Sequence, residues 1–127
     1  WPEHVNWWLR KDIRKFKLIS GDDTLAYHWV KINKDKEGKF LTSAWFLSKD
    51  VPNNLKIANS ILKFQYNFIK KNYKNLIWII TINKKNKFVQ RLNNKFGFYE
   101  ASKNSITRVN ITIPNKNYKF EVMEIKI

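Results

Sequence analysis

The sequence predicts an α+β domain with a mostly antiparallel sheet, in the order α-β-β-β-α-β-α-β-β. Three observations predict it. Alternating segments flank a Gly21-Asp22-Asp23 turn near the start. A long stretch, residues 53–72, carries apolar residues at helical spacing. Residues 76–82, from Leu76 to Ile82, form a nearly continuous apolar run, as a strand covered on both faces does.

The elements follow in order. Pro2 suits a first helical turn, and Val5, Trp8, Leu9, Ile13 and Phe16 recur at helical spacing, so residues 2–16 read as a helix. Residues 16–20 and 24–32 read as strands around the glycine turn. Residues 33–39 form a polar loop containing Gly38, and residues 40–47 a third strand. On the long helix Lys56, Asn59, Ser60, Lys63, Asn67, Lys70 and Lys71 share one face. The remaining arc is apolar and wide enough to pack deeply on a sheet, with Gln65 as its one interruption. After the apolar strand, a shorter helix spans residues 86–96. Asn86 is its expected N-cap, and Gly97 its expected left-handed terminator. Strands at 105–113 and 118–127, separated by residues 114–117, complete the order. No linker, repeat or low-complexity tract divides the chain, so residues 1–127 read as a single domain.

Composition narrows the function. Apolar residues make up 43% and aromatics 16%, values of a folded globule rather than a disordered chain. No run is long and apolar enough for a membrane-spanning helix, and the first residues do not resemble a secretion signal. Cysteine is absent, which removes disulfides and thiolate-held metals and makes a reducing cytoplasm the expected location. With two histidines besides, no metal site is expected. The net charge of +15 invites a nucleic-acid partner. However, only Arg10, Arg14, Arg91 and Arg108 among the 25 basic residues are arginine, the residue preferred for bidentate phosphate and base contacts. Lysine, asparagine and isoleucine all have AT-rich codons, so an AT-rich genome would produce such an excess without selection for DNA binding. A positive field also suits a small polyanion.

Asn86-Lys87-Phe88-Val89-Gln90-Arg91-Leu92-Asn93-Asn94-Lys95-Phe96-Gly97-Phe98 resembles the Asn-x-x-Ala-x-x-Leu-Tyr-x-x-x-Gly-Phe segment of the GNAT acyl-CoA N-acyltransferase superfamily. Asn86, Leu92, Gly97 and Phe98 match in register. Val89 replaces the alanine and Asn93 the tyrosine. The element order is similar to the family fold without its first strand and helix, as in a trimmed or short variant. The opening Glu3-His4-Val5-Asn6-Trp7 is similar to a branch acting on nucleotide-linked amino sugars, and GNAT-like proteins also occur in phage genomes.

The resemblance implies acetyl-CoA as co-substrate and an amine as acceptor. It implies that main-chain groups near Ala44, Trp45, Phe46 and Leu47 polarise the thioester, and that Asn86 belongs to the same site. The family's pyrophosphate loop, Gln/Arg-x-x-Gly-x-Gly/Ala, corresponds to residues 53–59. The preferred register sets Asn53 at its first position, with Asn54 beside it, Lys56 at the first glycine and Ala58 at the last small residue. A register shifted by one sets Ile57 and Asn59 at the glycines. Neither keeps a glycine, and Lys56 would instead bring a cation to the phosphates. Asn93 stands where the family acid stands, yet an amide supplies no proton at neutral pH. His28, on a strand beside the expected acceptor cleft, is the candidate base, its alternative being a strand histidine satisfied by a neighbour. Trp45 and Trp78 flank the place where the strands should part.

The leading expectation is an acetyl-CoA-dependent N-acetyltransferase acting on a small amine or amino sugar. One alternative keeps the fold without catalysis, in a binding or phage-assembly role. The other is a basic nucleic-acid-binding protein.

Overall fold

The computed structural model describes residues 12–48, 54–112 and 120–127. Strands β1 (Ile13–Ser20), β2 (Asp23–Asp35) and β3 (Gly38–Leu47) form a meander. Helix α1 (Asn54–Asn72) leads to β4 (Ile77–Asn83), helix α2 (Lys87–Lys95) and the short β5 (Tyr99–Glu100). Helix α3 (Lys103–Thr112) and β6 (Phe120–Lys126) follow. The six strands lie in the order β1-β2-β3-β4-β6-β5. Every neighbouring pair is antiparallel except β3 and β4. The α+β class and mostly antiparallel sheet are therefore those the sequence predicts. No helix among the described residues is long and apolar enough to cross a membrane.

The expected polar loop at 33–39 is instead a tight turn at 36–37, because β2 and β3 keep pairing down to Asp35 with Gly38 and Asp35 Oδ1 accepts from Glu37 N at 3.0 Å, and the short β5 was not expected. Two further differences from the sequence reading also have physical causes. Ile13–Phe16 belong to β1 and not to a helix, and the rest of that expected helix, residues 2–11, lies outside the described residues. Strand β2 is long enough to pair with all of them, Ile13 with Lys31 and Phe16 with His28. A run compatible with either period takes the one its partner completes. The expected strand at 105–113 is α3. Its β-branched residues alternate like a strand, but Ala101, Ser105 and Val109 recur every four residues, and all three are buried. Ser102 Oγ accepts from Ser105 N at 3.2 Å, while Ser102 N donates to Glu124 Oε1 at 2.6 Å. Those bonds satisfy donors that a helix start leaves open.

The sheet is covered on both faces. Helix α1 packs Ile69 against Val30, Leu41, Trp78 and Ile80. Its N-terminal half packs Ala58 and Leu62 against Leu92 of α2 and Trp45 of β3. Each fully buried aliphatic side chain here contributes about 1.5–3 kcal/mol. On the opposite face Val109 and Ala101 meet Phe40, Ile79 and Val122. Strand β4 serves both clusters, which is why it reads as a nearly continuous apolar run. Gly97 follows α2 with φ of +99°, and a β-carbon there would come within 3.1 Å of Ile125 Cδ1. Conformation and space both call for glycine at that position.

Candidate functional site

The site begins with an asymmetry in β3. Along one edge it pairs with β2 without a break, from Asp35 with Gly38 to Ala26 with Leu47. Along the other it pairs with β4 only at Leu41 with Trp78 and Thr42 with Ile79. Past that point no pair joins the two strands among the described residues, although both continue for several residues. Main-chain N–H and C=O groups bordering such a gap need partners from outside the ladder. At the closed end Trp78 Nε1 donates to Ser43 Oγ at 2.8 Å.

A cavity of about 210 Å³ occupies the gap on the α1 and α2 face. Ser43, Ala44 and Trp45 line it from β3, and Ile80 to Asn83 from β4. Leu62 and Gln65 close it from α1, and Asn86, Val89 and Asn93 from the α2 side. Asn86 caps α2 as expected, its Oδ1 accepting from Val89 N at 3.2 Å. Asn93 is buried, and its Nδ2 donates to Val89 O at 2.8 Å. Gln65 is 1% exposed and donates from Nε2 to Trp29 O at 3.2 Å. Its place in the cavity wall explains the polar break in the apolar arc of α1. Lys84, Lys85 and Lys87 are exposed around the turn that carries Asn83 and Asn86, which sets positive charge beside the cavity.

A second cavity, about 120 Å³, opens on the α3 face of the same gap. It is bounded by Trp29, Thr42, Ile79, Val109 and Phe120, and it shares Ser43, Ala44 and Thr81 with the first. Helix α3 is locked over this face. Arg108 Nε donates to Asp35 Oδ2 at 2.6 Å and a terminal nitrogen to Oδ1 at 3.0 Å. The guanidinium also lies 4.3 Å from the Phe40 ring centroid. The Arg108 hydrogen bonds hold the Asp35 carboxyl below its usual pKa.

The structure brings together Ala44, Trp45, Asn86 and Asn93 of the expected residues. It does not bring His28 to the gap. Side chains alternate along β2, so His28 faces α1 while its neighbour Trp29 lines the opposite opening. His28 stacks on Phe16 at 4.7 Å, meets Phe64 edge-on at 5.3 Å, and lines a separate cavity of about 110 Å³. Its Nδ1 has no hydrogen-bond partner among the described residues, and burial pushes its pKa down to about 4. Phe46 is exposed and stacks on Tyr27 at 5.1 Å, and neither it nor Leu47 lines the cavity. Lys56 is exposed on the first turn of α1, and Ala58 packs in the α1–α2 seam. Asn53 lies outside the described residues, and Asn54 opens α1. Sequence reasoning missed Gln65, Ser43 and Thr81. Only Gln65 left a signal, as the polar residue in an apolar arc.

The chain has the fold of solved structures that include a GNAT-family acetyltransferase and a spermidine N-acetyltransferase chimera. Three solved structures show the likeness. The chain aligns over 98% of its length with 76% of smu.2055 from Streptococcus mutans UA159, at a TM-score of 0.69 and 11% identity. It aligns over 97% of its length with 71% of a GNAT-family acetyltransferase from Streptococcus pneumoniae, at 0.64 and 11%. It aligns over 98% of its length with 74% of a chimera of spermidine N-acetyltransferase SpeG from Vibrio cholerae and hSSAT, at 0.67 and 12%. No protein-family model and no curated protein sequence matches the chain.

Proposed function

We propose that this chain is an acetyl-CoA-dependent N-acetyltransferase. The observation that carries the reading is the parting of β3 from β4 after two pairs, with a cavity on each face of the gap. Unpaired strand edges match the amides of an extended thioester arm as a further strand would. The lysines around the β4–α2 turn suit its phosphates. The acceptor amine enters from the α3 face, and positioning of two reactants in one channel supplies most of the rate.

The walls of both cavities carry no titratable side chain among the described residues. In this reading water takes the proton that the acceptor loses. A small amine or amino sugar is the acceptor class of this reading. Calorimetry with acetyl-CoA tests the reading directly. At a ligand concentration one hundred times Kd the folded state gains about 2.7 kcal/mol, a plain rise in Tm. The absence of both heat and thermal shift at millimolar acetyl-CoA rejects it.

A second reading keeps the fold without turnover. Asn93 supports it, because an amide committed to Val89 O is no acid for a leaving thiolate. Binding of acetyl-CoA without acetylation of any amine in a broad panel would select that reading.

A further inference from the structure

The two cavities have three lining residues in common. Ser43, Ala44 and Thr81 line both. These three are the residues common to the two faces of the gap, and so the place to look for a group that serves both. Two of them carry hydroxyls, and the two are not equivalent. Ser43 Oγ accepts from Trp78 Nε1 at 2.8 Å. Trp78 is fully buried, and Phe98 meets its ring edge-on at 4.7 Å, so the donor is fixed in place. An indole nitrogen only donates, which leaves the Ser43 proton pointing elsewhere. Accepting one hydrogen bond also polarises a hydroxyl for donating the next. Thr81 has no such anchor among the described residues.

We propose that Ser43 is the hydrogen-bond donor at the reacting centre, aimed at the thioester sulfur, with Trp78 as its positioning residue. The assignment depends on the acetyl-transfer reading above. In the transfer the amine lone pair forms the N–C bond, and the C–S bond breaks with its electron pair left on sulfur. Ser43 donates its O–H to the sulfur as that charge grows and keeps its proton. The proton lost by the amine ends on sulfur or in water. Preorganised donors of this kind act where charge develops.

The test needs no acceptor. CoA is bound to the intact protein and its thiol titrated by the ultraviolet absorbance of the thiolate. A free thiol titrates near about 8.5. In the unmodified protein the bound thiol is expected to titrate about one unit lower, a tenfold gain in thiolate. Ser43→Ala is expected to abolish that shift, and Ser43→Thr, which keeps a hydroxyl, to retain most of it. Ser43→Ala leaves the Trp78 indole unpaired, so its folding is checked by thermal unfolding. Trp78→Phe provides an independent arm, since it keeps the serine and releases its aim, and the bound thiol should again titrate higher. Unchanged titration in both folded variants overturns the assignment, as does a loss that follows Thr81→Val instead. A wild-type chain that binds no CoA overturns the acetyl-transfer reading itself. Binding with an unshifted thiol overturns the serine alone.

Discussion

The two edges of β3 differ in a way that explains the rest of the molecule. Its β2 edge is a continuous ladder, and its β4 edge holds for two pairs and then opens. The closed edge fixes the strand. The open edge turns main-chain groups of that same rigid strand toward a cavity. A site built this way depends on where backbone stands free more than on side-chain identity. That is why Ala44 and Trp45 border it without any chemistry that their types would announce.

The contrast can be broken or sharpened by mutation. The largest expected effect comes from the closed end of the gap. Trp78→Ala should cost about 3–5 kcal/mol in urea denaturation, because it empties a fully buried site and removes the Ser43 bond that pins the vertex. Plugging the gap should spare stability and abolish binding. Ala44→Trp is expected to weaken acetyl-CoA affinity by at least about 100-fold, or 2.7 kcal/mol, in calorimetry. A plugged variant that binds as the parent does would place the ligand elsewhere.

His28 probes the closed half of the sheet. Its pKa falls from 6.5 to about 4 on burial, so the unfolded chain binds the extra proton between those values. Stability should decline as pH drops from 6.5 to 4. His28→Phe should flatten that stretch of a Tm-against-pH curve and leave the loss that follows as Asp35 protonates, at still lower pH. A parent curve already flat from 6.5 to 4 would contradict the buried, unpartnered imidazole. The smallest effect belongs to the rim. Asn86→Ala removes the α2 cap and should cost about 1 kcal/mol in the same denaturation assay. It should leave the β2–β3 ladder, followed by amide exchange, unchanged.

Legibility follows the range of the forces involved. The α2 segment was readable residue by residue, because an N-cap and a left-handed glycine act within one helical turn. The strand-like spacing in α3 misled because Ser102 also depends on Glu124, 22 residues away, and Arg108 on Asp35, 73 residues away. His28 was placed on its strand but on neither face, since a period of two fixes alternation but not which face meets the cleft.

The sequence by itself determined the α+β class, the elements from β2 through α2, the Asn86 cap and the Gly97 stop. Only the tertiary structure decided that β3 and β4 separate after Thr42 and Ile79, that Ser43 and Thr81 line the cavities on both faces, and that Gln65 completes the wall. Caps and periodicity are set by neighbours in the chain. The parting of two strands depends on what packs on each face and on the full pairing of β4 with β6, contacts that exist only once the chain has closed on itself.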